Sequence, residues 1–342
     1  MIALKGKYNF ANIFIDEIDD TTKTQIRNFL NHPAFGKTYI AIMPDCHKGE
    51  GSCIGFTMKM NDYIIPNIVG VDIGCGINTC NLGKIDIKYE ELDKFIRKNI
   101  PYGFNVREHQ ITRGIIDKEG MGFVFAYDDI AKKIGLDSNR IRNSIGTLGG
   151  GNHFIEIDED KEGNKWLTIH SGSRKFGNEV ARYHQMVAKK LMDKMFLGDT
   201  YKTLEFLLRD SDEGKSYLND MYLAQIYAEF NRRTMATIIV EDFFKKYIMK
   251  LETIESIHNY IDLDNKIIRK GAISAKDGER CIIPFNMKDG IAICRGKGNK
   301  AYNYSAPHGA GRVMSRTKAK EVIKLEEFEE TMKDIWTSSA NE

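Results

Sequence analysis

Proline is scarce, with six in 342 residues, and no stretch rich in Ser, Pro or Gly reads as a linker. The sequence therefore offers no domain boundary, and no internal repeat of solenoid length is present. No apolar run approaches the length of a membrane span. An excess of one charge is also missing: 50 basic against 48 acidic side chains leave +2. Any nucleic-acid site must then be a local basic patch. The N-terminal run MIALKGKYNFANIF lacks the apolar region of a secretory signal. Six cysteines (Cys46, Cys53, Cys75, Cys80, Cys281, Cys294) lack the short spacings of a disulfide framework or a zinc ribbon. Together these absences point to a reducing, cytoplasmic setting, in which one or two thiols are free for chemistry. What is there is 42% hydrophobic, enough for a substantial core.

The first third reads as short strands and glycine turns: 38–44, 53–58, and 63–81 interrupted by Gly70, Gly74 and Gly76. The charged amphipathic segment 89–98 reads as a helix. Segments 147–157 and 166–169 read as strands edged by glycine loops. Apolar residues then recur at three and four, predicting helices over 178–196 and 217–250, the second broken near Asn231. Strands return over 254–294, and 318–333 closes as a helical tail. Runs of strands with an inserted helical block, about 178–250, argue for an α+β fold over residues 1–342.

The run Tyr304-Ser-Ala-Pro-His308-Gly-Ala-Gly-Arg312-Val-Met-Ser-Arg316 carries the densest chemical signal. Gly309 and Gly311 let the backbone approach a ligand and aim amides at an anion. A helix starting here would put Arg312 and Arg316 on one face beside His308, a phosphate site. The plain alternative is a turn opening a helix with a surface histidine.

Five of the eight histidines sit in suggestive contexts: His47, His153, His170, His258 and His308. Asp72 and Cys75 lie three apart at a glycine-lined strand end, in Val69-Gly-Val-Asp-Ile-Gly-Cys-Gly-Ile77. His153 follows the turn Gly149-Gly-Gly-Asn152, and His170 precedes Ser-Gly-Ser-Arg174. Carboxylate, thiolate and imidazoles at strand ends can hold one or two transition-metal ions. Ligand softness alone favours zinc over manganese, so residue chemistry does not choose the metal. Arg140 and Arg142 read as solvated surface. Arg174, Arg312 and Arg316 sit among glycines beside candidate ligands, where phosphate binding fits better, and Lys297 and Lys300 extend a basic rim.

In their order along the chain, MPDCHKGEG (43–51), VGVDIGCG (69–76), GTLGGGNHFIE (146–156), IHSGSRKFG (169–177), HNY (258–260), RKGAISA (269–275), RGKGN (295–299) and HGAGRVMSR (308–316) resemble the RtcB family of GTP-dependent RNA ligases. The resemblance implies a single catalytic domain that uses GTP and two manganese ions. It further implies joining of an RNA 3′-phosphate or 2′,3′-cyclic phosphate end to a 5′-hydroxyl end, in tRNA splicing or RNA repair, by a monomer without membrane attachment. By resemblance, His308 is the histidine that becomes guanylylated. Asp72, Cys75 and His153 form one manganese site and Cys75, His170 and His258 the other, with Cys75 bridging. Asn152, His153, Phe154, Ile155, Glu156, His258, Asn259, Pro284, Phe285, Asn286, Met287, Ile291, His308, Gly309, Ala310 and Gly311 fall at nucleotide-binding positions. Arg174, Arg312 and Arg316 are candidates for RNA or nucleotide phosphates, while the roles of Asp45 and His47 stay open.

Two departures stand out against the family pattern. Where the family has a small Gly-Ser pair after the proline, this chain has Phe285-Asn-Met-Lys-Asp-Gly-Ile291. The sequence also ends at Glu342, short of the usual family length, whose final segment carries a lysine that contacts guanine. These departures keep two other readings in view: a metal-dependent phosphoesterase, and a protein that binds broken RNA ends without turnover.

Overall fold

The structure, a computed structural model, describes residues 1–111, 118–311, 319 and 321–338, with the backbone alone for 118–125. It is a mixed α+β fold. One antiparallel-dominated sheet of six strands runs in the order β1 (Ile2–Lys5), β2 (Phe10–Ile13), β3 (Ile40–Ile42), β4 (Phe56–Lys59), β12 (Ile267–Lys270), β11 (Asn259–Asp262). A second sheet has four antiparallel strands in the order β10 (Thr253–Ile257), β6 (Gly76–Gly83), β8 (Lys165–Ser171), β7 (Phe154–Glu159). Smaller pairs are β5 (Tyr63–Ile64) with β9 (Leu207–Leu208), β13 (Ala272–Ser274) with β16 (Ser305–Pro307), and the hairpin β14 (Arg280–Asn286) with β15 (Gly290–Arg295).

The six-stranded sheet shares its main core with several of the helices. That core joins Ile13, Phe29 and Phe56 to Val180 and Tyr227. Helix α1 (Asp20–Leu30) is capped by Asp19, whose carboxylate accepts from Thr22 N at 2.9 Å. Proline at the first position starts the short α2 (Pro66–Val69), so the 63–81 strand splits into β5, one helical turn and β6. The amphipathic segment is α3 (Tyr89–Asn99), as its pattern predicts.

The helical part begins earlier than the sequence suggests. α4 (Lys118–Ile134) and α5 (Ser138–Asn143) precede α6 (Arg174–Lys194). Gly120 and Gly122 lower the helix propensity of that first segment and conceal it. The expected break near Asn231 does not occur: α7 runs unbroken over Asp212–Thr237 and continues through a π turn, Ile238–Phe243. Asn231 is fully buried and spends its amide on the loops beneath it. It accepts from Gly146 N and Thr147 N, and donates to Thr147 O, Ser171 Oγ and Gly172 O. A polar residue mid-helix here marks a tertiary anchor rather than a breaker. The tail keeps one described helix, Leu325–Met332. None of the described helices is long and apolar enough to cross a membrane.

Candidate metal centre and its histidine neighbour

The four-stranded sheet gathers the site at one rim. Its register sets Gly76 opposite both Ser171 and Ile257, and His170 opposite both Ile77 and Phe154. Cys75 precedes β6, His170 is the last but one residue of β8, His153 precedes β7 and His258 follows β10. In an antiparallel sheet these alternating starts and finishes coincide in space. Asp72 comes from the turn after α2.

Two triads result, Asp72–Cys75–His153 and Cys75–His170–His258, each with candidate ligand atoms within 4.8 Å of one another. Cys75 Sγ lies 3.5 Å from His153 Nε2 and 3.3 Å from His170 Nε2, and His153 Nε2 lies 3.1 Å from Asp72 Oδ2. The outer nitrogens fix the tautomers. His153 Nδ1 donates to Leu148 O and His170 Nδ1 to Asn152 O, each at 2.9 Å, leaving both Nε2 lone pairs toward Cys75. Among the described residues His258 Nδ1 is buried without a partner, an atom that asks for a ligand.

The electrostatics agree. Burial pushes His170 down to about 3 and His258 well below the ordinary histidine range. Burial and then the Asp72 carboxylate push the Cys75 thiol up. Asp72 resists the upward pull of its own burial because His153 and Cys75 contact its carboxylate, and it stays below its ordinary value. Neutral imidazoles and a carboxylate around a thiol are a donor set that a divalent cation completes. The cradle is tight as well: a side chain at Gly172 would strike the Asp72 carboxylate.

Behind the centre, α7 supplies a second buried anchor. Arg232, fully buried, donates to Gly74 O (2.8 Å) and Ser171 O (2.6 Å) and pairs with Glu255. It therefore ties together the two chain ends that carry Cys75 and His170.

His308 follows β16, and its ring centroid lies 4.9 Å from that of His258. Asp45, 7% exposed, sits between two imidazoles: its Oδ2 is 2.9 Å from His308 Nδ1 and its Oδ1 is 3.3 Å from His47 Nδ1. Burial would raise the Asp45 carboxyl, but His308 and then His47 outweigh it and hold it below its ordinary value. With Nδ1 set 2.9 Å from a carboxylate, His308 has Nε2 left for other chemistry, the arrangement of an oriented base. Gly309 and Gly311 wrap Asp45, with Gly311 at φ 85°. Ala310 N donates to Pro284 O at 3.2 Å, so this amide fastens the β14–β15 hairpin. Arg312 and Arg316 lie outside the described residues.

The remaining sequence candidates divide. Phe154 lies 5.3 Å from the His170 ring and, like Ile291, packs against the cluster of Ile77, Trp166, Ile254 and Ile282. Ile155 points to the opposite face of the sheet, into the core around Leu167 and Ile169, leaving only its backbone toward the site. Asn259 is engaged: Oδ1 accepts from Gly271 N at 3.0 Å and Nδ2 donates to Asp72 O at 3.4 Å. Asn286 closes the hairpin tip by accepting from Lys288 N and Asp289 N, which leaves Phe285 and Met287 each 46% exposed. Arg174, in a left-handed conformation at φ 58°, donates to Thr147 Oγ1 (3.1 Å) and Gly103 O (2.7 Å). A side chain at Gly149 would collide with its guanidinium and come within 2.8 Å of His153 Nδ1. Strain in such a bulky residue persists because those contacts hold it. Arg142 is spent on an ion pair with Asp128.

Asp45 had a signal, its place in Pro44-Asp-Cys-His47. Arg232 and Asn231 had none beyond being polar in a helical stretch. Nor was Asp158 visible as a partner of Glu156. The two carboxylates share one face of β7 (Glu156 opposite Thr168, Asp158 opposite Trp166). Burial and then Asp158 push Glu156 up to about 8; burial pushes Asp158 up to about 6 against a hydrogen bond from Thr168. An acid raised on folding binds more protons folded than unfolded, so it subtracts stability as pH climbs from the ordinary carboxylate range through its folded value. Glu156→Gln should therefore flatten the fall in melting temperature between pH 5 and 8.5, and melt above wild type at the upper end. Equal slopes for the two proteins in a thermal-shift series would refute the buried acid pair.

Residues 25–340 match the family described as tRNA-splicing ligase RtcB. The RNA-splicing ligase RtcB of Escherichia coli K12 is 32% identical over 337 residues, covering 91% of this chain and 82% of the relative. The tRNA-splicing ligase RtcB of Methanococcus maripaludis is 29% identical, covering 94% and 84%. That of Aeropyrum pernix is 28% identical, covering 89% and 79%.

Proposed function

The chain belongs to the RtcB family of tRNA-splicing ligases, and on that premise we propose a GTP-dependent RNA ligase that uses two manganese ions. It joins RNA 3′-phosphate or 2′,3′-cyclic phosphate ends to 5′-hydroxyl ends, in tRNA splicing or RNA repair. The observation that carries this reading is His308, backed by Asp45 at 2.9 Å and set against His258 at the rim of two metal-ligand triads that share Cys75.

Asp72, Cys75 and His153 would hold one ion and Cys75, His170 and His258 the other. Bound there, the cations would offset charge on the phosphoryl oxygens. His308 Nε2 attacks the α-phosphorus of GTP, forming an N–P bond as pyrophosphate leaves, while the Asp45 carboxylate stabilises the charge that develops on the ring. The GMP then passes from His308 to the RNA 3′-phosphate oxygen, and the 5′-hydroxyl oxygen attacks that phosphorus and expels GMP. A cyclic phosphate is first opened by water.

On the nucleotide side stand Asn152 through Glu156, Asn259, the hairpin residues Pro284, Phe285, Asn286, Met287 and Ile291, and His308 through Gly311. Arg174, Arg312 and Arg316 are assigned to phosphates. The ligase works in the cytoplasm as a monomer.

Incubation with manganese and α-labelled GTP should leave acid-labile label on the protein, lost in His308→Ala. Absence of label from the wild type, with steady hydrolysis of cyclic-phosphate ends, would replace the ligase by a phosphoesterase. Asp45→Asn should cut the labelling rate by about 100-fold or more, because the ring loses its orienting anion, with metal content unchanged. Normal labelling by that variant would remove Asp45 from the mechanism.

A further inference from the structure

Phe104 is 95% exposed and Tyr102 52% exposed, although exposure of large rings is unfavourable unless something covers them. The loop that bears them is firmly held. Leu148 N donates to Pro101 O (2.9 Å), Gly103 N to Gly149 O (2.8 Å) and Arg107 N to Asn143 O (2.9 Å). The Arg107 guanidinium adds bonds to Asn99 O (2.9 Å) and Gly146 O (2.6 Å). Every one of these bonds except that to Asn99 ties the loop to the 143–149 segment, which leads directly into the His153 turn.

The loop also stands close to the metal centre. Arg174 grips Gly103 O at 2.7 Å and borders, across the bare Cα of Gly149, the His153 ring. Phe104 follows Gly103 by one residue, a Cα step of about 3.8 Å. A cation lies at the pair: exposed Arg140 reaches the Phe104 carbonyl at 3.5 Å. A protein-docking face would need a broader apolar area than two rings. Exposed aromatic faces with a guanidinium at hand, near a centre that on the ligase reading handles phosphates, fit unpaired nucleobases.

We propose that Tyr102 and Phe104 form a stacking platform for the last unpaired bases of the RNA strand whose terminal phosphate faces the metal centre. This rests on the RNA-ligase reading and adds a substrate subsite to it. Both rings position RNA and neither takes part in the chemistry.

The test uses a short RNA bearing 2-aminopurine at its final two positions and a 3′-phosphate, mixed with the full chain without GTP. Wild type should quench the fluorophore on binding. Phe104→Ala should lose most of the quench and raise the KM for RNA about 10-fold, leaving kcat and GTP labelling of His308 unchanged, while Phe104→Trp restores both. Unaltered quench and KM in Phe104→Ala and in Tyr102→Ala would overturn the platform. So would a change confined to self-association in sedimentation, which would make the patch a protein contact. Because quenching is read without GTP, it stands or falls separately from the labelling assay. A wild type that binds no RNA sinks both the platform and the ligase.

Discussion

On the proposed two-ion reading, replacing Cys75 with alanine should abolish binding of both metal ions, whereas His258→Ala or Asp72→Ala should each abolish one. Cys75 alone belongs to both triads, with its Sγ 3.5 Å from His153 Nε2 and 3.3 Å from His170 Nε2. A thiolate belonging to both triads would offset the charge of both cations, and its loss would leave each triad with two ligands. Retention should fall by roughly two orders of magnitude or more, since disturbing the supporting shell of a metal site already costs about 10- to 100-fold. Metal analysis after dialysis against manganese reads the stoichiometry, and near-UV circular dichroism checks that the variant is folded. Retention of one ion by folded Cys75→Ala would disprove the bridge.

The largest loss of stability is expected from Arg232→Leu. Its guanidinium is fully buried and satisfies Gly74 O, Ser171 O and the Glu255 carboxylate. Leucine would leave two carbonyls unpaired and strand the carboxylate, whose burial already raises its pKa. Breaking such a pair by removing one partner costs about 3–5 kcal/mol, visible as a lower urea midpoint. Arg232→Lys should recover only part of this, because an ammonium cannot span three acceptors set in a fork. Adding Glu255→Gln to Arg232→Leu should restore some stability by removing the stranded charge. A midpoint within experimental error of wild type would mean that Arg232 is not the clasp between the two ligand-bearing strand ends.

Much of this site was legible from residue chemistry. Asp72, Cys75, His153, His170, His258 and His308 each stand beside glycine or a strand end, and the structure brings all six together. α3 was readable because its apolar positions repeat at helical spacing over a charged background. α4 was not, since its glycines dilute the same signal, and the run of α7 through Asn231 was misread because an interior asparagine looks locally like a stop. Local rules see the propensity of Asn231; they do not see five hydrogen bonds to loops some 60 to 85 residues away in sequence.

The sequence by itself determined the inventory: soft and hard metal donors, a histidine among glycines, and a net charge near zero that leaves any nucleic-acid contact to local basic groups. Tertiary structure decided the pairing. Strand register puts residues 75, 153, 170 and 258 at one rim, because an antiparallel sheet alternates the ends of its strands. It also turned Asp45 from a motif residue of open role into the carboxylate behind His308, and spent the Ala310 amide on Pro284. Such choices depend on contacts between distant segments, whose closure is set by the packing of the whole core rather than by any local spacing.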